Sequence, residues 1–281
     1  MKKTTSIILV FQFSLILFFS CCKKENTKPN LLNGKMKHIH ELSSSYDFNF
    51  YYFYDSTDGM LQKVMLDNKL FVTISKKNEN YITIDYDVSV IYPSLTQKIK
   101  LKAYFDNGGF INKIVKIDTI NSTEEEIIQF YLFNNYPDSI REYPSTIFRE
   151  SKLYDFNFLS GNIVSLTRLS DNILTGFQID TLSFYYNQTI VNKNILPVQN
   201  LYIGTYFVGF ATATTQPLYL LALDGFFPFK NNKNALLDSI EFKGNNGGVS
   251  KYSYTVNLSG IISRTTYTGS LATFSYDFEY Y

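Results

Sequence analysis

The chain has 281 residues and a formal net charge of +1, and Phe and Tyr supply 25 and 23 of its residues while Trp is absent. Without a basic excess, nucleic acid is not an expected partner. The two cysteines, Cys21 and Cys22, both lie near the N-terminus, so no disulfide can staple the rest of the chain. A folded body must therefore be held by its apolar core, which a chain of this length can build.

Residues 1–20 have the layout of a secretory signal peptide. Lys2 and Lys3 precede an almost continuous apolar run over residues 7–19. That run is too short for a comfortable membrane-spanning helix, which needs about 20 apolar residues. We therefore expect this segment to direct export and not to belong to the fold.

The cysteine that follows the apolar run resembles the acylated cysteine of the bacterial lipoprotein lipobox. Ser20 fits the motif, whereas Phe18 stands where the lipobox usually has Leu or a smaller aliphatic residue. The resemblance implies cleavage before Cys21, a lipid on Cys21, and an outer-membrane location that is either periplasmic or surface-exposed. The alternative is an ordinary secreted protein with two incidental cysteines. The polar segment 21–35 is then expected to be a flexible tether.

Residues 36–281 predict a single all-β domain. The clearest strand is 81–92, in which apolar residues such as Ile82 and Ile84 alternate with polar residues such as Asp85. Residues 274–280 alternate aromatic and polar side chains in the same way. A period of two places one set on a packed face and the other on a wet face.

One hairpin pattern recurs along the domain: an aromatic-rich strand, an Asp or Asn, a Gly and an aliphatic return strand. It is found at "YFYDSTDGMLQKV" from Tyr52, "KAYFDNGGFINKI" from Lys102, "YDFNFLSGNIVSL" from Tyr154 and "YSYTVNLSGIISR" from Tyr252. Consecutive hairpins predict an antiparallel meander of roughly 14–18 strands. A sheet of that size must twist, and we expect it to curl or close into a barrel-like shape.

Residues 216–240 break this pattern. The segment is Leu-rich after Pro217 and reaches Asp224-Gly225, which fits a short helix with Pro near its start and Gly after its end. A buried strand is the alternative, since periodicity alone does not separate the two. If it is a helix, we expect it to plug or cap the apolar face of the sheet.

The combination of features resembles a large family of uncharacterised secreted lipoproteins from Bacteroidetes. The features are the lipobox, the hairpins similar to the YD-type repeats of bacterial surface proteins, "IGTYF" at residues 203–207 and the final "FSYDFEY". The resemblance covers residues 35–281 and implies a porin-like antiparallel sheet. It implies no catalytic activity and no cofactor.

Few residues offer metal or catalytic chemistry. His38 and His40 share one face of a strand and could hold a metal, but Glu41 points the other way, so a solvated strand is the favoured interpretation. The loop 55–59 resembles a calcium loop but lacks its alternating ligands, which favours ordinary turn chemistry. We predict no metal site, and with no other His and no Cys in residues 36–281 there is no candidate for nucleophilic catalysis in the domain.

The acidic residues of the chain also do not indicate an enzyme. Asp85 and Asp87 share a wet strand face, but nothing in the sequence raises the pKa of either carboxyl as a glycosidase requires. Residues 124–126, three consecutive Glu, are expected to form a charged hairpin loop or a capped helical turn. We therefore predict a non-enzymatic protein.

Surplus aromatic residues are the remaining functional signal. Adjacent tyrosines send one side chain outward when the other is buried, which makes Tyr51, Tyr52, Tyr185 and Tyr186 candidate ligand-binding residues. The predicted function is binding of a glycan, an apolar small molecule or a protein partner by a lipid-anchored envelope protein. The alternatives are a transmembrane outer-membrane β-barrel, as the aromatic C-terminus suggests, and a structural or adhesive surface protein.

Overall fold

The computed structural model describes residues 35–44, 47–78, 80–91, 93–94, 98–134, 136–143, 148–160, 162–173, 176–187, 236–244, 247–269 and 273–281. By its internal contacts the chain divides into residues 1–31 and residues 32–281, and every described residue belongs to the second unit. The predicted signal peptide, Cys21 and nearly all of the predicted tether lie outside the described residues.

Sixteen strands account for most of the described chain. They are β1 (Met36–Ser43), β2 (Asp47–Tyr54), β3 (Leu61–Leu66), β4 (Lys69–Asn78), β5 (Tyr81–Asp87), β6 (Lys98–Phe105), β7 (Ile111–Asp118), β8 (Thr123–Phe133), β9 (Tyr136–Glu142), β10 (Phe148–Leu159), β11 (Asn162–Asn172), β12 (Gly176–Asn187), β13 (Leu236–Gly244), β14 (Gly248–Val256), β15 (Ile262–Thr268) and β16 (Thr273–Tyr280). Each strand pairs with its sequence neighbours, and β1 also pairs with β16, so the sheet is a closed barrel. The predicted all-β antiparallel meander is confirmed.

Closure depends on the pairing of the first and last strands. Ile39 lies opposite Phe278 and His40 lies opposite Asp277 in an antiparallel register. The Tyr281 amide also donates to the Lys35 carbonyl oxygen at 3.0 Å. Because both edges of the meander are paired with each other, the described sheet presents no open edge.

The barrel has two ends that the connections define. The terminal end is the one at which β1 begins and β16 finishes, and it carries the β2–β3, β4–β5, β6–β7, β8–β9, β10–β11 and β14–β15 turns. The distal end carries the connections that follow the odd-numbered strands. These two names are used below.

The apolar core lies inside the barrel. Every strand contributes at least one buried hydrophobic residue, for example Ile39 on β1, Val64 on β3, Ile84 on β5 and Ile114 on β7. On β2, Phe50 and Tyr52 are buried whereas Tyr51 and Phe53 between and after them are exposed. The period of two seen in the sequence therefore directs apolar side chains inward and polar side chains outward.

Two turns at the terminal end, β6–β7 and β14–β15, share one hydrogen-bond arrangement. Asp106 Oδ1 accepts the amides of Gly108 and Phe110 at 2.8 and 2.9 Å. Asn257 Oδ1 accepts the amides of Ser259 and Ile261, both at 2.9 Å.

The turn before β3 uses the same chemistry. Asp55 Oδ1 accepts the Thr57 amide at 2.6 Å, and Asp58 Oδ1 accepts the Met60 amide at 2.8 Å. The loop that resembles a calcium site is thus a turn in which the carboxylates bind backbone amides, as the sequence favours. Gly59, Gly109 and Gly260 each follow in a left-handed conformation, with φ between 71° and 79°.

Two expectations need correction, and a third falls mostly outside the described residues. The strand expected over 81–92 finishes at Asp87, because Asp87 Oδ1 accepts the Ser89 amide at 3.1 Å and starts a 3-10 turn over Val88–Val90. The Glu residues at 124–126 are not a loop or a helical turn but part of β8, where they pair with β7. In the segment expected to hold a helix, residues 216–235 lie outside the described residues and residues 236–240 form the start of β13.

Candidate functional site

Charged side chains stand on the outward face of the barrel at mid-strand. Asp85 of β5 and Lys100 of β6 lie opposite each other, with Lys100 Nζ 3.7 Å from Asp85 Oδ1. Lys102, one outward position further along β6, forms an ion pair with Glu124 of β8. The predicted wet face of β5 is thus the outer wall, where these charges are paired across strands.

The carboxylates considered for a glycosidase belong to this ion-paired surface. Asp87 Oδ2 lies 3.9 Å from Lys98 Nζ, and Asp85 pairs with Lys100 as described above. Both carboxylates lie on the outer wall of one strand and face cations.

His38 and His40 lie on the outward face where β1, β2 and β16 meet, as their spacing predicts. His40 Nε2 lies 2.7 Å from Asp47 Oδ1, and His40 Nδ1 lies 3.7 Å from Asp277 Oδ2. Glu41 points to the opposite, inward side with its neighbour Phe48. Among the residues that the structure describes, no group of three or more His, Cys, Asp or Glu side chains is arranged to hold a metal ion.

Arg264 completes this outward cluster from β15. Its Nε and Nη2 atoms donate to Asp277 at 2.5 and 2.6 Å, a bidentate contact. The hydrogen bonds from Arg264 hold the pKa of the Asp277 carboxyl below its ordinary value. The Asp277 carboxylate therefore remains ionised near neutral pH, and its contact with Arg264 ties β15 to β16 on the outer wall.

The four candidate tyrosines form two separate pairs, and each pair has one outward and one inward member. Tyr51 faces outward and stacks on His38 with ring centroids 4.5 Å apart, whereas Tyr52 is buried. Tyr185 faces outward and donates to Glu241 Oε2 at 2.8 Å, whereas Tyr186 donates to the Ile163 carbonyl oxygen at 2.6 Å. Because β2 and β12 are six strands apart around the barrel, the structure does not bring the two pairs together.

An ion pair that the sequence analysis missed lies inside the barrel. Arg168 of β11 donates through Nη2 to Asp180 Oδ2 of β12 at 2.5 Å, and the two side chains are 14% and 1% exposed. Gly244 of β13 lies opposite Asp180, and a Cβ atom at Gly244 would collide with the Asp180 carboxylate. Glycine at this position leaves the space that the buried pair occupies.

A row of polar side chains continues this inward region toward the distal end. Glu142, Ser151 and Ser170 lie opposite one another on β9, β10 and β11, and all three are buried. Burial raises the pKa of the Glu142 carboxyl to about 8, because the ionised form loses its hydration inside the barrel. The carboxyl is therefore largely protonated near neutral pH.

The strand period was the signal that could have located this polar region. Arg168 and Ser170 occupy the same parity on β11 as buried Leu166, so they should point inward with it. Applied to charged residues as well as apolar ones, the same parity places Arg168 inside the barrel.

Comparison with known proteins shows the architecture. No family model matches the chain, and no curated protein matches it. A solved porin-like protein from Bacteroides uniformis matches with a TM-score of 0.58 and 14% identity, over 88% of this chain and 98% of that chain. The fold is porin-like. The porin-like sheet implied by the sequence resemblance is thus confirmed at the level of fold.

Of the functions that the sequence predicts, the outer-membrane β-barrel fits the porin-like fold better than the lipid-anchored binding protein does. A closed barrel is the architecture expected for the alternative of an outer-membrane barrel. Among the described residues, no helix is long and apolar enough to cross a membrane. Lipid attachment and the binding of a glycan, an apolar molecule or a protein partner stay predictions.

Proposed function

We propose that the protein is an outer-membrane lipoprotein, anchored through Cys21, whose porin-like barrel stands in water and binds a ligand without catalysis. The ligand classes are a glycan, an apolar small molecule or a protein partner. The N-terminal motif supports the anchor, and the barrel's outer wall supports the aqueous setting.

The orientation of the wall is the observation that carries this proposal. Lys100 and Lys102 lie at mid-strand on the outer face, with Asp85 and Glu124 as their partners. A Lys or Arg on the lipid face of a barrel costs about 2–4 kcal/mol at the bilayer midplane. The apolar residues, in contrast, are buried inside the barrel, where they stabilise a body that is surrounded by water.

A transmembrane outer-membrane barrel is the second candidate, and the porin-like neighbour favours it. It requires an apolar outer band about 25 Å tall, flanked by aromatic residues. The two candidates therefore differ in what the outer wall contacts, which is lipid in one and water in the other.

Removing the acylation site tests the anchor. In cells fed an alkyne-tagged fatty acid, the protein should carry the tag when Cys22 alone is changed to Ala, the matched control. Adding Cys21→Ala should abolish the tag and move the barrel to the soluble fraction. A variant that keeps the tag contradicts the anchor, and one that stays in the membrane without the tag supports the second candidate.

A melting experiment tests the binding function. A polypeptide spanning Lys23–Tyr281 should melt cooperatively in buffer without detergent, and a specific glycan or apolar molecule should raise its Tm. The outward tyrosines Tyr51 and Tyr185 are the residues to change to Ser once a ligand is found, with Ser253, an outward residue of β14, changed to Ala as the control. Turnover of a glycan in the same panel would contradict the non-enzymatic proposal.

A further inference from the structure

Exposed large side chains are distributed unequally between the two ends of the barrel. Among the described residues, the terminal end holds most of the exposed aromatic side chains, namely Phe53, Tyr131, Phe133, Tyr136, Tyr185 and Tyr281, together with Leu159 and Leu258. The distal end holds mainly exposed aliphatic residues, namely Leu42, Leu70, Ile120, Ile173, Ile179 and Val249, together with Phe177. Aromatic side chains are the ones that favour the boundary between water and lipid.

Three of the described exposed aromatic residues lie on the β8–β9 hairpin, and the exposed Leu159 and the half-buried Phe158 of β10 lie beside them. We define the aromatic edge as Tyr131, Phe133, Tyr136 and Leu159. Phe133 lies opposite Tyr136 across the hairpin, and the Tyr136 ring lies 5.1 Å from the Phe158 ring of β10. Phe133 and Leu159 are 70% and 67% exposed, so the edge presents apolar area that the described chain does not cover.

The start of the described chain lies at the same end of the barrel. Lys35 precedes β1 and accepts a hydrogen bond from the Tyr281 amide, and its Nζ lies 5.0 Å from the centroid of the Tyr54 ring. Lys35 lies fourteen positions after Cys21 along the chain. A chain of that length cannot span more than about 50 Å even when it is fully extended.

The aromatic edge and Lys35 occupy opposite sides of the terminal end. β9 is eight strands from β1 in either direction around the sixteen-stranded barrel. An anchor reached from one side and an apolar contact on the other would together bring the terminal end, and not the distal end, against a surface. A single contact would let the barrel tilt freely.

We propose that the terminal end rests on the lipid surface, with the aromatic edge inserted at the water–lipid boundary and the barrel axis along the membrane normal. This inference rests on the proposed anchor at Cys21. The distal end, with the inward row of Glu142, Ser151 and Ser170, then faces away from the membrane. The contact is apolar and not electrostatic, because the exposed charges next to the edge, Asp138 and Asp155, are acidic.

The absence of Trp from the chain permits a direct test. Phe133→Trp reports on the aromatic edge, and Phe177→Trp is the matched control, since Phe177 is also exposed but lies at the distal end. Each lipidated full-length variant is reconstituted with phosphatidylcholine vesicles that contain brominated phosphatidylcholine. Emission from the indole at position 133 should shift to shorter wavelength and be quenched, at low and at high salt, whereas emission from position 177 should change in neither respect.

Other outcomes overturn the inference in distinguishable ways. A protein that is lipidated and vesicle-bound but shows no quenching at position 133 leaves the anchor intact and contradicts the inference, leaving the aromatic edge to a protein partner. Equal quenching at both positions contradicts end-on contact and supports a barrel within the bilayer. Whether Cys21 is acylated at all is measured separately, by the fatty-acid labelling experiment described for the proposed anchor.

Discussion

Two Arg–Asp pairs place the same chemistry in opposite surroundings. Arg168 and Asp180 lie inside the barrel, whereas Arg264 and Asp277 lie on its outer wall with side chains 53% and 35% exposed. Removing one partner of a buried pair leaves an uncompensated charge, whereas an exposed pair is screened by water. The location of each pair therefore decides what it contributes to stability.

This difference predicts the effect of removing each aspartate. Asp180→Ala should lower the free energy of unfolding by about 3–5 kcal/mol, because Arg168 would remain buried without its carboxylate. Asp277→Ala should cost at most about 1 kcal/mol. Urea denaturation of both variants measures the two values, and equal losses would contradict the inward placement of Asp180.

Glu142 predicts a dependence of stability on pH. Its pKa is raised from 4.5 to about 8 in the folded barrel, so the folded state binds more protons than the unfolded state between these values. The free energy of unfolding should therefore fall as pH rises through this window, by an amount on the order of 4 kcal/mol, and level off above it. Glu142→Gln should remove this decline in urea denaturation measured from pH 4.5 to 9.

Glu124 provides the control for that experiment. Hydrogen bonds from Lys102 and Tyr104 lower the pKa of Glu124, so its contribution has the opposite sign and is lost as pH falls. Glu124→Gln should leave the decline between pH 4.5 and 8 in place. A decline that persists in Glu142→Gln would show that another group causes it.

At the scale of elements, the hairpin is the unit that the sequence predicts best. Asp or Asn followed by Gly forms turns of one hydrogen-bond pattern at 106–109 and 257–260 and a related turn at 55–59, because the side chains bind local amides and Gly accepts a positive φ. The return strands follow directly. The positions of these hairpins can therefore be predicted from the sequence, because the chemistry that forms each turn is local.

Local sequence patterns give a wrong or incomplete prediction where pairing with another strand determines the structure. Residues 124–126 read as a loop because three acidic residues follow Ser and Thr, but Lys116 and Ile117 on β7 pair with them and extend β8. The buried pair of Arg168 and Asp180 likewise depends on the register between β11 and β12 and on the space at Gly244. Such cross-strand effects are not visible in one segment.

Gly109 tests the turn account. Its φ is 79° and a Cβ atom would meet nothing within 4 Å, so Gly109→Ala isolates the cost of the left-handed backbone. We expect a loss of about 1–2 kcal/mol in the free energy of unfolding. Gly248→Ala is the control, because Gly248 also has open space around it but no positive φ. Equal losses in thermal denaturation would show that turn conformation is not the cause.

At the scale of the whole molecule, sixteen strands close into a barrel that is apolar inside and charged outside. The all-β meander and its approximate strand number follow from hairpin spacing and alternation. Closure does not, because the pairing of β1 with β16 joins segments more than 200 residues apart. The direction in which the apolar face points also becomes clear only when the sheet is closed.

In the proposed lipoprotein the outer wall contacts water, so a residue on the outside of one strand should be accessible to a reagent in solution. In a Cys22→Ala background, Lys100→Cys places a thiol on the outer wall of β6, and Leu101→Cys places one on the buried face beside it. Open envelope fragments are treated with a charged, membrane-impermeant maleimide. We expect labelling of Lys100→Cys and protection of Leu101→Cys; protection of Lys100→Cys until detergent is added would show that this wall lies in lipid and would contradict the account.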